Sequence, residues 1–171
     1  MKVDLPPIAP GAGDPSVTDA AFDQAWRVYT DAGNRAFDAD AFDRAAIAYQ
    51  SALAEAGRLF RIVEKVDLDH ARHVAPMLII SGGNAARNAV AGGDMAEADA
   101  VLLEVATAFL HVLGNPAIAG EIQQACVRHL PHLLLDLTDA AYADAPGARM
   151  RQRMATELTD VARSIALGPT N

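Results

Sequence analysis

At 171 residues the chain is long enough for one domain with a real core, and a hydrophobic content of 51% argues against disorder. The net charge of −8, from 22 acidic and 14 basic residues, argues against a nucleic-acid backbone or an anionic membrane surface as partner, because both need clustered cations. No apolar run reaches the roughly 20 residues that a bilayer span needs, and Cys126, the single cysteine, excludes an intrachain disulfide and suits a cytoplasmic setting.

Residues 1–16 carry Pro6, Pro7, Pro10 and Pro15 and read as an extended or disordered arm without the apolar segment of a signal peptide. Residues 17–167 read as a single all-α domain. Alanine dominates the apolar fraction, aromatics are only 5%, and no β-branched run alternates with period two. Lys2 and Lys65 are the only lysines, a bias that fits a GC-rich bacterial genome. Thr18 caps a first predicted helix from about Asp19 to Phe37, with Trp26, Tyr29, Ala32, Gly33 and Ala36 on one face. After the break Asp38-Ala39-Asp40, a long second helix runs to about Lys65, its apolar stripe including Ala45, Tyr49, Ala52, Leu53, Leu59 and Phe60. Asp67 or Asp69 caps a third, from about His70 to Val90. Pro76 either starts or kinks it, and Gly82-Gly83 permits close approach of a neighbour. Gly92-Gly93-Asp94 ends that helix and begins a fourth, Met95 to Leu113, which Gly114-Asn115-Pro116 stops. A fifth segment, Ala117 to Ala143, is expected to break at Pro131, and a sixth helix runs from about Ala148 to Leu167. Six helices joined by short loops predict antiparallel hairpins.

The first pair carries a large residue, a small pair and a large residue (Tyr29, Ala32-Gly33, Phe37), then Ala45, Tyr49 and Ala52. This resembles the tetratricopeptide repeat (TPR). The pattern recurs more weakly as Ala85-Ala86, Val90, Ala98 and Leu102, 53 residues on rather than the roughly 34 of a regular array. Over Gln24 to Leu113 the chain also looks like short bacterial TPR-like proteins of unassigned function. The resemblance implies a TPR-like α-solenoid fragment in which Gly33 and Ala45 mark the tightest crossing of the first pair. It further implies a concave groove formed by the first helix of each hairpin, taking a protein or peptide and needing no cofactor. By matching position, Arg27, Thr30, Asn34 and Asp38 face that groove from hairpin one, and Ile80, Gly83, Asn84, Arg87 and Ala91 from hairpin two. Asn34 and Asn84 fall where some members use asparagine to grip a terminal carboxylate, but Thr30 replaces a cation and the third-hairpin cations cannot be placed.

Two other readings compete with this non-enzymatic interaction module. His70 and His73, at i, i+3 beside Asp67 and Asp69, could help hold a metal in a ligand-binding or enzymatic bundle, and His129 and His132 repeat that spacing. An exposed Leu/Ala face could instead pair with itself in a structural homodimer. His111 and Cys126 read as packed core residues. Arg149, Arg151, Arg153 and Arg163 read as a solvated basic face on the last helix. No P-loop, G-x-S-x-G, H-E-x-x-H or dinucleotide fingerprint is present.

Overall fold

The structure, a computed structural model, describes residues 23–63, 68–143 and 145–167. The proline-rich arm of residues 1–16, the Thr18 cap and the Asp67 cap lie outside them. Among the described residues the protein is all-helical: α1 Gln24–Asp38, α2 Phe42–Arg61, α3 Leu68–Ala91, α4 Met95–Gly114, α5 Gly120–Thr138, a 3-10 turn at Ala140–Tyr142, and α6 Ala148–Leu167. No described helix is long and apolar enough to cross a membrane.

The α1–α2 and α3–α4 turns are built alike. After α1, Ala41 N–H donates to Ala36 O and Asp40 N–H to Phe37 O; after α3, Asp94 N–H donates to Ala89 O and Gly93 N–H to Val90 O. Both are Schellman closures, which need a left-handed residue. Gly93 takes that conformation at φ 83, and Asp40, 53 residues earlier, takes it at φ 53. Asp94 then caps α4 by accepting from Glu97 N–H at 2.9 Å, as the sequence predicts.

Small residues set the helix spacing. Gly33 lies against the ring of Tyr49, so that a Cβ at 33 would sit 2.5 Å from Tyr49 Cδ1. Tyr49 thus fills the space beside Gly33 in the first pair, and Ala45 is fully buried. At the next crossing a Cβ on Gly82 would lie 2.6 Å from Val105 Cγ2, which brings α4 onto α3. Successive helices α1 to α4 pack in order, then α3 meets α5 and α4 meets α6. α3 is accordingly buried nearly all round, from Ala71 to Ala89. Phe60 of α2 stacks on Phe109 of α4 with centroids 5.0 Å apart, closing the centre of the core.

Four expectations need correction. α2 ends at Arg61 rather than about Lys65, because the chain tightens at Ile62, whose N–H donates to Leu59 O, and buries Val63. α5 is not broken at Pro131. The helix runs through it, as α3 runs through Pro76. Proline in a helix interior costs about 3 kcal/mol, but Leu130, Leu133 and Leu137 are each at most 2% exposed, and burying a leucine contributes about 1.5–3 kcal/mol. His111 is exposed, because the last turn of α4 turns that position away from the core, whereas Cys126 is fully buried as predicted. Arg151 is no part of a solvated face: it is 2% exposed and paired with buried Asp99.

The Arg151–Asp99 pair fastens the last helix. Arg151 also donates to the carbonyls of Tyr142 and Leu137, and its guanidinium lies 5.4 Å over the Tyr142 ring. Asp99 accepts from Gly147 N–H at 2.5 Å, and a Cβ on Gly147 would come within 2.7 Å of the carboxyl group. One buried ion pair thus joins α4, the 3-10 turn and α6.

Candidate functional site

Four of the residues expected to face the groove meet in one cleft. Asn34 and Asp38 from α1, and Asn84 and Arg87 from α3, line it together with Phe37 and Tyr49. Tyr49 Oη donates to Asn34 Oδ1 at 2.8 Å, and Arg87 Nη2 donates to Asn84 Oδ1 at 2.5 Å. Burial raises the Tyr49 phenol above its usual pKa, and nearby Asp38 adds to this while Arg87 opposes it, so the hydroxyl remains a donor. Each asparagine therefore uses its carbonyl oxygen on a neighbour. Neither amide nitrogen donates to any described residue.

Arg27 stands apart from this cleft. It is exposed and bound to Asp23 at 2.6 Å at the start of α1. Thr30 is half-buried and lines neither this cleft nor the next; its hydroxyl is buried with no hydrogen-bond partner among the described residues. Ala91 is exposed and lines neither cleft. Trp26, which the sequence placed on the apolar face of α1, donates from Nε1 to Ser81 Oγ at 2.7 Å and holds α1 beside α3.

Arg87 also lines a second cleft, of about 340 Å³, between α3 and α5. Pro76, Ile79, Ile80 and Gly83 form the α3 side; His129, His132, Leu135 and Asp136 form the α5 side. The two clefts share Arg87, so α1, α3 and α5 contribute to adjoining clefts. Asp136 takes no hydrogen bond and no ion pair from the described residues. Burial raises its pKa, with Asp139 adding to the effect and Arg87 and His132 opposing it. Burial lowers the pKa of His129, and the neighbouring cations His132 and Arg128 push it the same way.

Sequence reasoning missed the α5 contribution. His129, His132 and Asp136 are spaced i, i+3, i+7, a single helical stripe about 100° round the helix from that of Leu130, Leu133 and Leu137. The signal was present, but it depends on an unbroken helix, and the expected break at Pro131 disperses it.

The histidine pair of α3 makes a local arrangement. His73 Nδ1 lies 2.7 Å from Asp69 O, and Asp69 also pairs with Arg72 at 3.0 Å. Among the described residues no three His, Cys, Asp or Glu side chains come close enough together to hold a metal ion. Burial pushes the Cys126 thiol up to about 12, which leaves it protonated and unreactive.

A family model described as a protein of unknown function, DUF2753, matches residues 24–165. No curated protein and no solved structure matches the chain. That match spans α1 through most of α6, and so takes in every residue of both clefts: the chain belongs to the DUF2753 family.

Proposed function

We propose that this protein is a non-enzymatic interaction module, a TPR-like stack of helical hairpins that binds a peptide or partner segment along the adjoining clefts of α1, α3 and α5. The observation that carries the reading is the convergence of Asn34, Asp38, Asn84 and Arg87. They were selected by repeat position alone, and they line one cleft. The repeated Schellman turns and the Gly33–Tyr49 crossing favour the TPR-like arrangement. The two asparagine amides, with their nitrogens unused, suit the acceptor groups of an extended backbone. Arg87 supplies a cation beside Asn84, which offsets the loss of a cation at Thr30. A single, buried cysteine accords with a reducing cytoplasm.

Selection of displayed peptides on the full chain, followed by fluorescence anisotropy, tests this. Selected peptides are expected to bind Asn34→Ala, Asn84→Ala and Arg87→Ala variants about tenfold more weakly, each amide or guanidinium contact being worth roughly 1–2 kcal/mol. Arg153→Ala, on exposed α6 surface, should leave binding unchanged. A selection that enriches nothing, or peptides indifferent to all three groove variants, would overturn the reading.

A further inference from the structure

The α3–α5 cleft has a polarity that its walls do not account for. Its sides combine aliphatic Pro76, Ile79, Ile80 and Leu135 with His129 and His132, and Ile80 and Leu135 are exposed at 43% and 67%. Two opposite charges converge on its floor above Gly83. A Cβ there would lie 2.9 Å from Asp136 Oδ2 and 3.8 Å from Arg87 Nη2. Yet the two side chains form no ion pair with each other, and the Asp136 carboxylate takes no hydrogen bond from the described residues. A partly buried carboxylate without a protein donor favours one supplied from outside.

The charges decide what fits. An ammonium placed on Asp136 would face the Arg87 guanidinium, and a carboxylate placed on Arg87 would face Asp136. A neutral dipole with an acceptor at one end and a donor at the other satisfies both. The absent side chain of Gly83 lets the Asp136 carboxylate lie close against the α3 backbone, within reach of a group that Arg87 also holds. We propose that this cleft is a subsite for one main-chain amide of an extended peptide. Its C=O accepts from Arg87, its N–H donates to Asp136, and the adjoining aliphatic side chain packs between Ile80 and Leu135. The inference rests on the groove reading above and adds to it a ligand class, a blocked aliphatic residue, and a residue of recognition, Asp136, that the repeat pattern does not mark.

Three small probes separate the possibilities: N-acetyl-leucine N-methylamide, N-acetyl-leucine with its free carboxylate, and leucine N-methylamide with its free ammonium. Each is titrated into the full-length chain at millimolar concentration and followed by amide nitrogen–proton spectra. The blocked compound is expected to bind best and to move the resonances of residues 80–87 and 132–136. Asp136→Ala should weaken it about tenfold, whereas Asp136→Asn, which keeps an acceptor, should restore part of the affinity. Gly83→Ala should abolish it by displacing the Asp136 carboxylate, whose Oδ2 would lie 2.9 Å from the new Cβ. Stronger binding of the acid or of the amine would overturn the proposal, and the comparison of probes on the unaltered chain needs no variant to fold. If selected peptides bind through Asn34 and Asn84 while the blocked leucine leaves residues 80–87 unmoved, the subsite fails and the groove reading stands. If neither binds, both fail.

Discussion

Asp136 illustrates how burial decides the behaviour of a single residue. Its folded pKa lies above the ordinary carboxylate value, so the native chain holds a proton that the unfolded chain has already lost. Stability from this group is therefore present at low pH and is lost as pH rises from about 4 through the raised pKa. Asp136→Asn removes the charge without changing the shape. At pH 7 the variant should unfold at a higher urea concentration than the parent, and the difference should shrink as pH approaches 4. A variant equally or less stable at pH 7 would contradict this account. Below about 6.5, His129 acts in the same direction on parent and variant, because its lowered pKa costs stability as the pH falls. The sequence identifies both residues as titratable. It does not reveal that they share a cleft with Arg87.

At the level of the helix, glycine at a crossing outweighs helix propensity. Gly82 in the middle of α3 costs roughly 1 kcal/mol relative to alanine in an isolated helix. Replacement by alanine nevertheless should destabilise this protein by about 1–3 kcal/mol, because the new methyl would lie 2.6 Å from Val105 Cγ2. Combining Gly82→Ala with Val105→Ala should relieve the clash, giving a loss smaller than the sum of the two single variants in denaturant titrations. Strict additivity would mean that the helices simply move apart. The sequence pattern made α3 and α4 legible as helices, with Asp94 as cap and the small residues as contact points. It misjudged α5, because local rules treat proline as a breaker while the burial of Leu130, Leu133 and Leu137 keeps the helix intact.

For the molecule as a whole, the fastening of α6 is the least legible feature. Arg151 sits among Arg149 and Arg153, which are exposed, and only its i, i+4, i+7 spacing with buried Ala155 and Leu158 sets it apart. Its partner Asp99 lies 52 positions earlier and its other acceptors lie in the preceding turn. Arg151→Met leaves Asp99 buried with Gly147 N–H as its remaining partner. Such a change costs about 3–5 kcal/mol, a large part of the 5–15 kcal/mol that holds a domain together. Hydrogen exchange should show α6 opening first, while α1 and α2 keep their protection. Substituting Asp99→Leu as well should recover part of the loss, since no unpaired charge then stays buried; failure to recover any would show that the pair acts otherwise than by charge compensation.

By itself the sequence determined the helical class, the hairpin turns and most of the core, because those follow from periodicity, capping chemistry and side-chain size, all of which act within a few residues. The resemblance to a repeat also singled out Asn34, Asp38, Asn84 and Arg87, which line one cleft. Only the tertiary structure decided that α5 brings His129, His132 and Asp136 to a cleft that Arg87 also lines, and that Arg151 is buried. Those outcomes depend on which helix faces meet, and that is set by the packing of residues tens of positions apart, where the energy of the whole core overrides the preference of any one segment.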